Sequence, residues 1–266
     1  MSTDVCLVRI GCLPRGKCGA FLFLSLFFTA VASWAAHPLV TDDAGTQGNG
    51  RMQFEANSEF ATDREGEALT REVGAQGVLS VGLAGSLDAV WAFPYRRWMT
   101  RESGSTSHEA GLSDASVELK WRFHQAGPFS LAVKPGLTVP TGDSARGLGA
   151  GEPRFGLFLI ASREAGALGL HTNVGYVHGH NGSRHISERL HGSLAAVMSI
   201  GRRLRAVGNA YFENNHEDAS KTLLSAVLAG FIVPFADSFD FDIGVKAAMS
   251  RPDTDYALLS GVTWRI

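Results

Sequence analysis

From residue 51 onward, apolar and polar side chains alternate with period two in short segments set apart by turn-forming residues. This is the pattern of β-strands that present one greasy and one polar face. In the first segment Met52, Phe54, Ala56, Ser58 and Phe60 take one face, and Gln53, Glu55, Asn57 and Glu59 take the other. Further segments are predicted at 71–81, 86–98, 113–124, 128–141, 154–164, 167–178, 187–200, 203–213, 221–235, 238–250 and 255–266. That makes twelve strands, or ten if the apolar pair 154–164 and 167–178 is misread.

The links between these segments supply an independent constraint. They run long (61–70), short (82–85), long (99–112), short (125–127), long (142–153), short (165–166), long (179–186), short (201–202), long (214–220), short (236–237) and medium (251–254). Transmembrane barrels alternate short periplasmic turns with longer outer loops, whereas a soluble sandwich has no reason to do so. Both termini fall on the short-turn side.

Periodicity alone does not say which face is inside, because a soluble lipocalin-like barrel would put the apolar set inward. The last strand decides it. Tyr256, Leu258, Val262, Trp264 and Ile266 share one face, and Ala257, Leu259, Gly261, Thr263 and Arg265 the other. A terminal strand that is apolar outward and aromatic near its end is suited to pair with the first strand, leaving no edge in lipid. Trp91, Tyr95, Trp98, Trp121, Tyr176, Phe235, Phe239, Tyr256 and Trp264 fall near strand ends, where aromatic girdles lie.

The N-terminus points to export. Arg9, Arg15 and Lys17 precede an apolar run over 19–32, which is followed by Ser33-Trp34-Ala35-Ala36. The run is too short to span a bilayer, and the layout is that of a signal peptide cleaved after Ala35. All three cysteines (Cys6, Cys12, Cys18) fall within it, so the mature chain must be held together without disulfides. Removing residues 1–35 takes three basic residues and one acid (Asp4) from totals of 24 and 26, leaving a net charge of −4. That balance does not suggest a nucleic-acid partner. The predicted organisation is a signal peptide (1–35), a periplasmic N-terminal segment (36–50) and an outer-membrane barrel (51–266).

Several motifs carry a family resemblance: the stretch from His37 through Thr41-Asp42-Asp43 to Glu55, Val139-Pro-Thr-Gly-Asp143 with Gly147-Leu-Gly-Ala-Gly151, Gly111-Leu-Ser-Asp114 with Leu119-Lys-Trp-Arg-Phe123, and the ending Gly261-Val-Thr-Trp-Arg-Ile266. Spread over the mature chain, they resemble the bacterial family called putative MetA-pathway of phenol degradation, often labelled "transporter". The family typically ends in phenylalanine and this chain ends in Ile266. The resemblance implies an outer-membrane barrel for uptake of hydrophobic or aromatic compounds, and it implies no catalytic residues.

If the polar face lines the lumen, the candidate residues there are Glu55, Glu59, Asp88, Arg96, Glu118, Lys120, Arg122, Lys134, Asp240, Asp242, Lys246 and Arg265, joined by Gln53, Asn57, His171, Asn173, Asn209, Tyr211 and Glu213. Closure would bring Glu55 and Glu59 beside the strand that bears Arg265. The set reads either as a selective constriction or as a network that plugs a narrow lumen, since buried charges must be paired.

Other chemistry is weaker. His191 and Ser193 share a strand face, as a base and nucleophile of a lipid hydrolase could, but they point to the lumen and no acid is clearly placed to orient the histidine. His178, His180 and His185 could bind a metal or simply decorate an outer loop. Asp42-Asp43 could bind a cation, though a turn anchored in the periplasm is favoured. Gly147–Gly151 has no following helix to cradle phosphate and reads as a mobile outer loop.

The expectation is therefore a twelve-strand, porin-like antiparallel barrel in the bacterial outer membrane. It would be a non-enzymatic passive channel for small hydrophobic or aromatic solutes, with no cofactor or metal. Its partners would be outer-membrane lipid and, through the C-terminal strand, the barrel-assembly machinery. The alternatives are a hydrolase built on His191/Ser193 and a structural barrel with a plugged lumen.

Overall fold

The computed structural model describes residues 37–65, 67–180, 186–214, 223–250 and 254–266. The predicted signal peptide and the cysteines lie outside these residues. Among the described residues thirteen strands follow one another: β1 (Met52–Glu65), β2 (Ala68–Ala84), β3 (Leu87–Glu102), β4 (Ser105–Leu112), β5 (Ala115–Ala126), β6 (Phe129–Val139), β7 (Arg154–Ala165), β8 (Leu168–His180), β9 (Ile186–Ser199), β10 (Arg205–Asn214), β11 (Leu223–Ala236), β12 (Phe239–Ala248) and β13 (Tyr256–Arg265). Each pairs antiparallel with its neighbours, and β3 pairs with β4 in its outer part and with β5 in its inner part. β4 and β5 are thus one stave broken at Ser113-Asp114, and the barrel has twelve staves.

The sheet closes as the terminal strand predicted. β1 and β13 pair with Phe54 opposite Trp264, Ala56 opposite Val262 and Phe60 opposite Leu258. Met52 and Ile266 exchange backbone hydrogen bonds at 3.0 and 2.8 Å, so the ladder runs to the last residue. Closure removes both sheet edges, which is what allows strands to sit in lipid.

The faces sort as the alternation requires. Phe54, Phe60, Trp121, Leu157, Leu194, Phe231, Leu258 and Trp264 are exposed on the outer wall, while Gln53, Lys120, His171, Asn209, Asp242 and Thr263 are buried. The exposed apolar residues form a band that water would penalise and lipid solvates. Trp98 departs from the expected girdle: it shares the inward face of Arg96.

Three expectations about connections are corrected. The link predicted at 61–70 is strand almost throughout, with β1 and β2 paired as far as Glu65 opposite Ala68. The one predicted at 99–112 holds the outer end of β3 and all of β4, paired to Glu102 opposite Ser105. Outside the bilayer both faces of a hairpin meet water, so its apolar alternation fades while the backbone ladder continues. Third, the stretch 147–151, read as a mobile loop, packs against the wall. Leu148 is fully buried and a Cβ on Gly111 would touch it. Arg146 pairs with Glu109 at 2.6 Å. The break between β4 and β5 makes this possible, because it turns Asp114 to accept from Gly142 N (3.0 Å) and Ala150 N (2.7 Å), while Ser113 Oγ donates to the Leu148 carbonyl.

Residues 37–50 are the largest correction. Expected in the periplasm, they run through the short-turn half of the barrel, and two glycines with positive φ, Gly48 (+85°) and Gly50 (+75°), turn the chain back into β1. Gly50 N donates to Gly82 O at 2.8 Å, and a Cβ at Gly82 would lie 1.8 Å from the Gly48 carbonyl oxygen, so only glycine admits this approach.

Candidate functional site

A segment that joins no sheet must find other partners for its peptide groups once it leaves water. The inner wall supplies them from side chains. Asn209 Oδ1 accepts from Val40 N at 2.7 Å and Thr41 N at 2.9 Å, and its Nδ2 donates to Thr41 Oγ1. Ser162 Oγ accepts from Ala44 N at 2.8 Å, and Asp88 Oδ2 from Gln47 N at 2.9 Å. The Asn173 amide, its orientation assigned from its partners, meets the Asp42 backbone at 2.8 and 2.9 Å. Apolar contacts fix the remainder: Leu39 packs on Val197, Val207 and Ile232, and Ala44 on Ala132 and Ile160. Much of the polar lumen that alternation revealed is therefore spent holding this plug.

An ion-pair cluster and a histidine–carboxylate contact hold the plug at two points. Asp42 sits between Lys120 (2.8 Å) and Lys134 (3.0 Å), and Lys134 also reaches Glu118 at 3.2 Å. Burial alone would raise the Asp42 carboxyl, but the two ammonium groups hold it well below the usual carboxylate range. At the other end His37 Nδ1 lies 2.6 Å from Asp242 Oδ1.

The predicted lumen residues separate into groups. Asp88, Glu118, Lys120, Lys134 and Asp242 meet at the plug. Glu59 pairs with Lys246 at 2.6 Å. Arg96 forms a two-point pair with Glu72 higher on the barrel, at 2.7 and 3.0 Å. Arg122 lies at the rim and donates to the Gly85 carbonyl. Glu55 and Glu59 lie opposite Thr263 and Leu259, on the strand that bears Arg265, while Arg265 itself pairs elsewhere. It shares Asp240 with Arg205, at 2.8 and 2.9 Å, because β12 and β10 carry the nearer carboxylate and guanidinium.

Glu55 is instead held by amides. Gln53 Nε2 donates to one of its oxygens at 2.8 Å and Asn57 Nδ2 to the other at 3.4 Å. All three side chains line a cavity of about 310 Å³ left between the plug and the β1–β6 wall. Val78, Val90 and Ala92 form an apolar patch of that wall, and Asp42, Asp43 and Gln47 bound it from the plug.

The hydrolase residues are placed inward, His191 and Ser193 both buried. An acid is present that spacing did not reveal: Glu213 on the neighbouring strand lies 2.9 Å from His191 Nδ1. Yet the Ser193 hydroxyl has no hydrogen-bond partner, so it is not engaged by the histidine. The possible metal cluster at His178, His180 and His185 falls largely outside the described side chains. Among the described residues no group of three or more His, Cys, Asp or Glu side chains could hold a metal. What sequence reasoning missed was the plug's place. The signal available was two inward lysines on adjacent strands, Lys120 and Lys134, which need more acid than Glu118 supplies.

Comparison with known proteins agrees with this architecture. Among solved structures, the chain is similar to the COG4313 outer membrane channel from Pseudomonas putida F1 (TM-score 0.68, 11% identity, covering 88% of this chain and 98% of that one). It is also similar to the KdgM porin (TM-score 0.53, 9% identity, 80% and 98% covered) and to the β domain of the Bordetella autotransporter BrkA (TM-score 0.54, 10% identity, 81% and 99% covered). At these identities the likeness is one of fold. No curated protein sequence matches. The closed barrel and its outer-membrane neighbours place the chain in the bacterial outer membrane. The family model described as Putative MetA-pathway of phenol degradation matches residues 35–266, and the chain belongs to that family.

Proposed function

We propose that this barrel is a passive channel in which small solutes pass between the N-terminal plug and the β1–β6 wall. The observation that carries the reading is the cavity of about 310 Å³ beside the plug, at the lower end of the range for small-molecule sites. The family's description and the channel and porin neighbours support a transport role over catalysis. Hydrophobic or aromatic solutes, the class the resemblance implies, find partial support in Val78, Val90 and Ala92. The remainder of the lining is polar. Entry to the membrane would follow removal of the 1–35 leader and recognition of β13 by the assembly machinery.

The number of bonds that fasten the plug favours a second reading, a structural barrel with a closed lumen. Planar-bilayer recording separates the two. A channel conducts as the full mature chain, and a variant lacking residues 37–47 conducts more. If only the truncated variant conducts, the native barrel is closed and the channel reading is lost. For the hydrolase alternative, Ser193→Ala should leave lipid release from vesicles at the level of the parent. Release that depends on Ser193 would reinstate the enzyme.

A further inference from the structure

Charge on the outer hairpins is divided by face. On β1, β2 and β3 the outward side chains form the apolar band as far as Phe60, Val73 and Tyr95, all exposed on the outer wall. Beyond them come Arg64, Arg71, Arg97 and Arg101, exposed and on the same outward face. The acids of these strands alternate to the other side: Asp63, Glu72 and Glu102 take the inward face, where Glu72 is held by Arg96. Glu67 stands at the tip between β1 and β2, and Asp255 Oδ2 accepts from the Arg64 backbone N–H at 3.1 Å. The other arginine pair at this end joins Arg146 to Glu109. Among the described residues no acid lies within ion-pair distance of the four outward guanidinium groups, and the outer ends of β4–β13 carry no outward lysine or arginine.

The register sets their spacing. Met99 lies opposite Arg71, so Arg97 and Arg101 are the diagonal neighbours of Arg71, with Cβ atoms about 7–8 Å apart. Leu69 separates Arg64 from Arg101 in one row across the three strands. The stretch from Leu87 to Tyr95 is close to the ~9–11 residues that carry a tilted strand through hydrocarbon, which puts Arg97 at the outer boundary. From Arg97 to Arg101 the ladder climbs about 13 Å of strand away from the bilayer. A guanidinium group binds phosphate oxygens at two points, and neighbours at this spacing can converge on one phosphate. A glycerophospholipid has a single phosphate at the boundary and would reach Arg97 alone. Four cations rising from the boundary match a head group that carries several phosphates outward on sugars. We propose that this face docks a phosphorylated glycolipid of the outer leaflet. Its acyl chains lie on Phe60, Val73 and Phe93, and its phosphates meet Arg71, Arg97 and Arg101.

Native mass spectrometry of the detergent-solubilised mature chain tests this, with lipid A bearing two phosphates, lipid A bearing one, and phosphatidylglycerol as probes. The two-phosphate lipid should be retained as a single adduct and bind roughly tenfold tighter than either other probe, the effect of one charge-assisted contact. Arg71→Gln, Arg97→Gln and Arg101→Gln, introduced together, should abolish that preference. Arg163→Gln, Arg202→Gln and Arg203→Gln, introduced together, remove as much charge from exposed positions at the periplasmic end and should leave it intact. Equal binding of the three probes, or equal loss in both triple variants, is general attraction of anions and overturns the site. Complete displacement of lipid A by inorganic phosphate also overturns it. So does a lipid-independent dimer of the unmodified barrel that the first triple variant loses, because the face then belongs to a second copy. If a variant fails to fold, the ranking of the three probes on the unmodified barrel still decides.

Discussion

Asp42 shows how one side chain can hold a segment in place. It accepts from Lys120 and Lys134, both of which are largely buried, with side chains 10% and 17% exposed. Taking one member from a buried ion pair costs about 3–5 kcal/mol, because the partner is left charged and dry. Asp42→Asn should fall near the lower figure, since Lys134 keeps Glu118, and should release the plug to added protease while the barrel persists. The pH dependence has a definite sign. An acid whose folded value is depressed stabilises the fold above its ordinary value, 3.8 here, and loses that contribution only as pH falls toward the folded value. Protease protection of residues 37–50 should therefore stay flat from pH 8 to about 5 and weaken below about 4. Loss of protection already near pH 6 would show that Asp42 is not the latch. At this scale the sequence was half legible. The inward lysines could be read from alternation, but the acid that satisfies them lies 78 and 92 positions away, in a segment with no periodicity to orient it.

Among elements, the staves were the most readable part and the plug the least. A strand between lipid and lumen must alternate, so twelve staves and their inward faces follow from residue order. The hairpins beyond the bilayer obey no such constraint, which is why β1, β2, β3 and β4 extend past their predicted ends. The plug keeps no rule of its own; it takes its shape from Asn209, Ser162, Asn173 and Asp88 on staves far apart in sequence. Its junction with β1 is closely packed against Gly82. Gly82→Ala would drive a methyl group into the Gly48 peptide, and overpacking of this kind costs about 1–3 kcal/mol. The expected outcome is a lower melting temperature with the plug's exit turn exposed to proteolysis, and an unchanged melting curve would mean that the turn moves freely. At the opposite end of the barrel, Leu148 pins the 142–151 loop against the wall. Leu148→Ala should increase cleavage within that loop without altering the melting temperature of the barrel.

Across the whole molecule, the hydrogen bonds of the sheet run around the circumference, from stave to stave, and closure at β1–β13 makes them continuous. Such a ring resists being pulled apart but offers little against flattening. The plug supplies what the ring lacks, because its contacts run radially, to Asp88 on β3, Lys120 on β5, Lys134 on β6, Ser162 on β7, Asn209 on β10 and Asp242 on β12. They act as spokes on a wheel rim. A wall braced in this way cannot bulge to admit a wider molecule, so the largest permeant is set by the gap the spokes leave, and the size cut-off should be sharp and insensitive to membrane tension until the hub itself lets go.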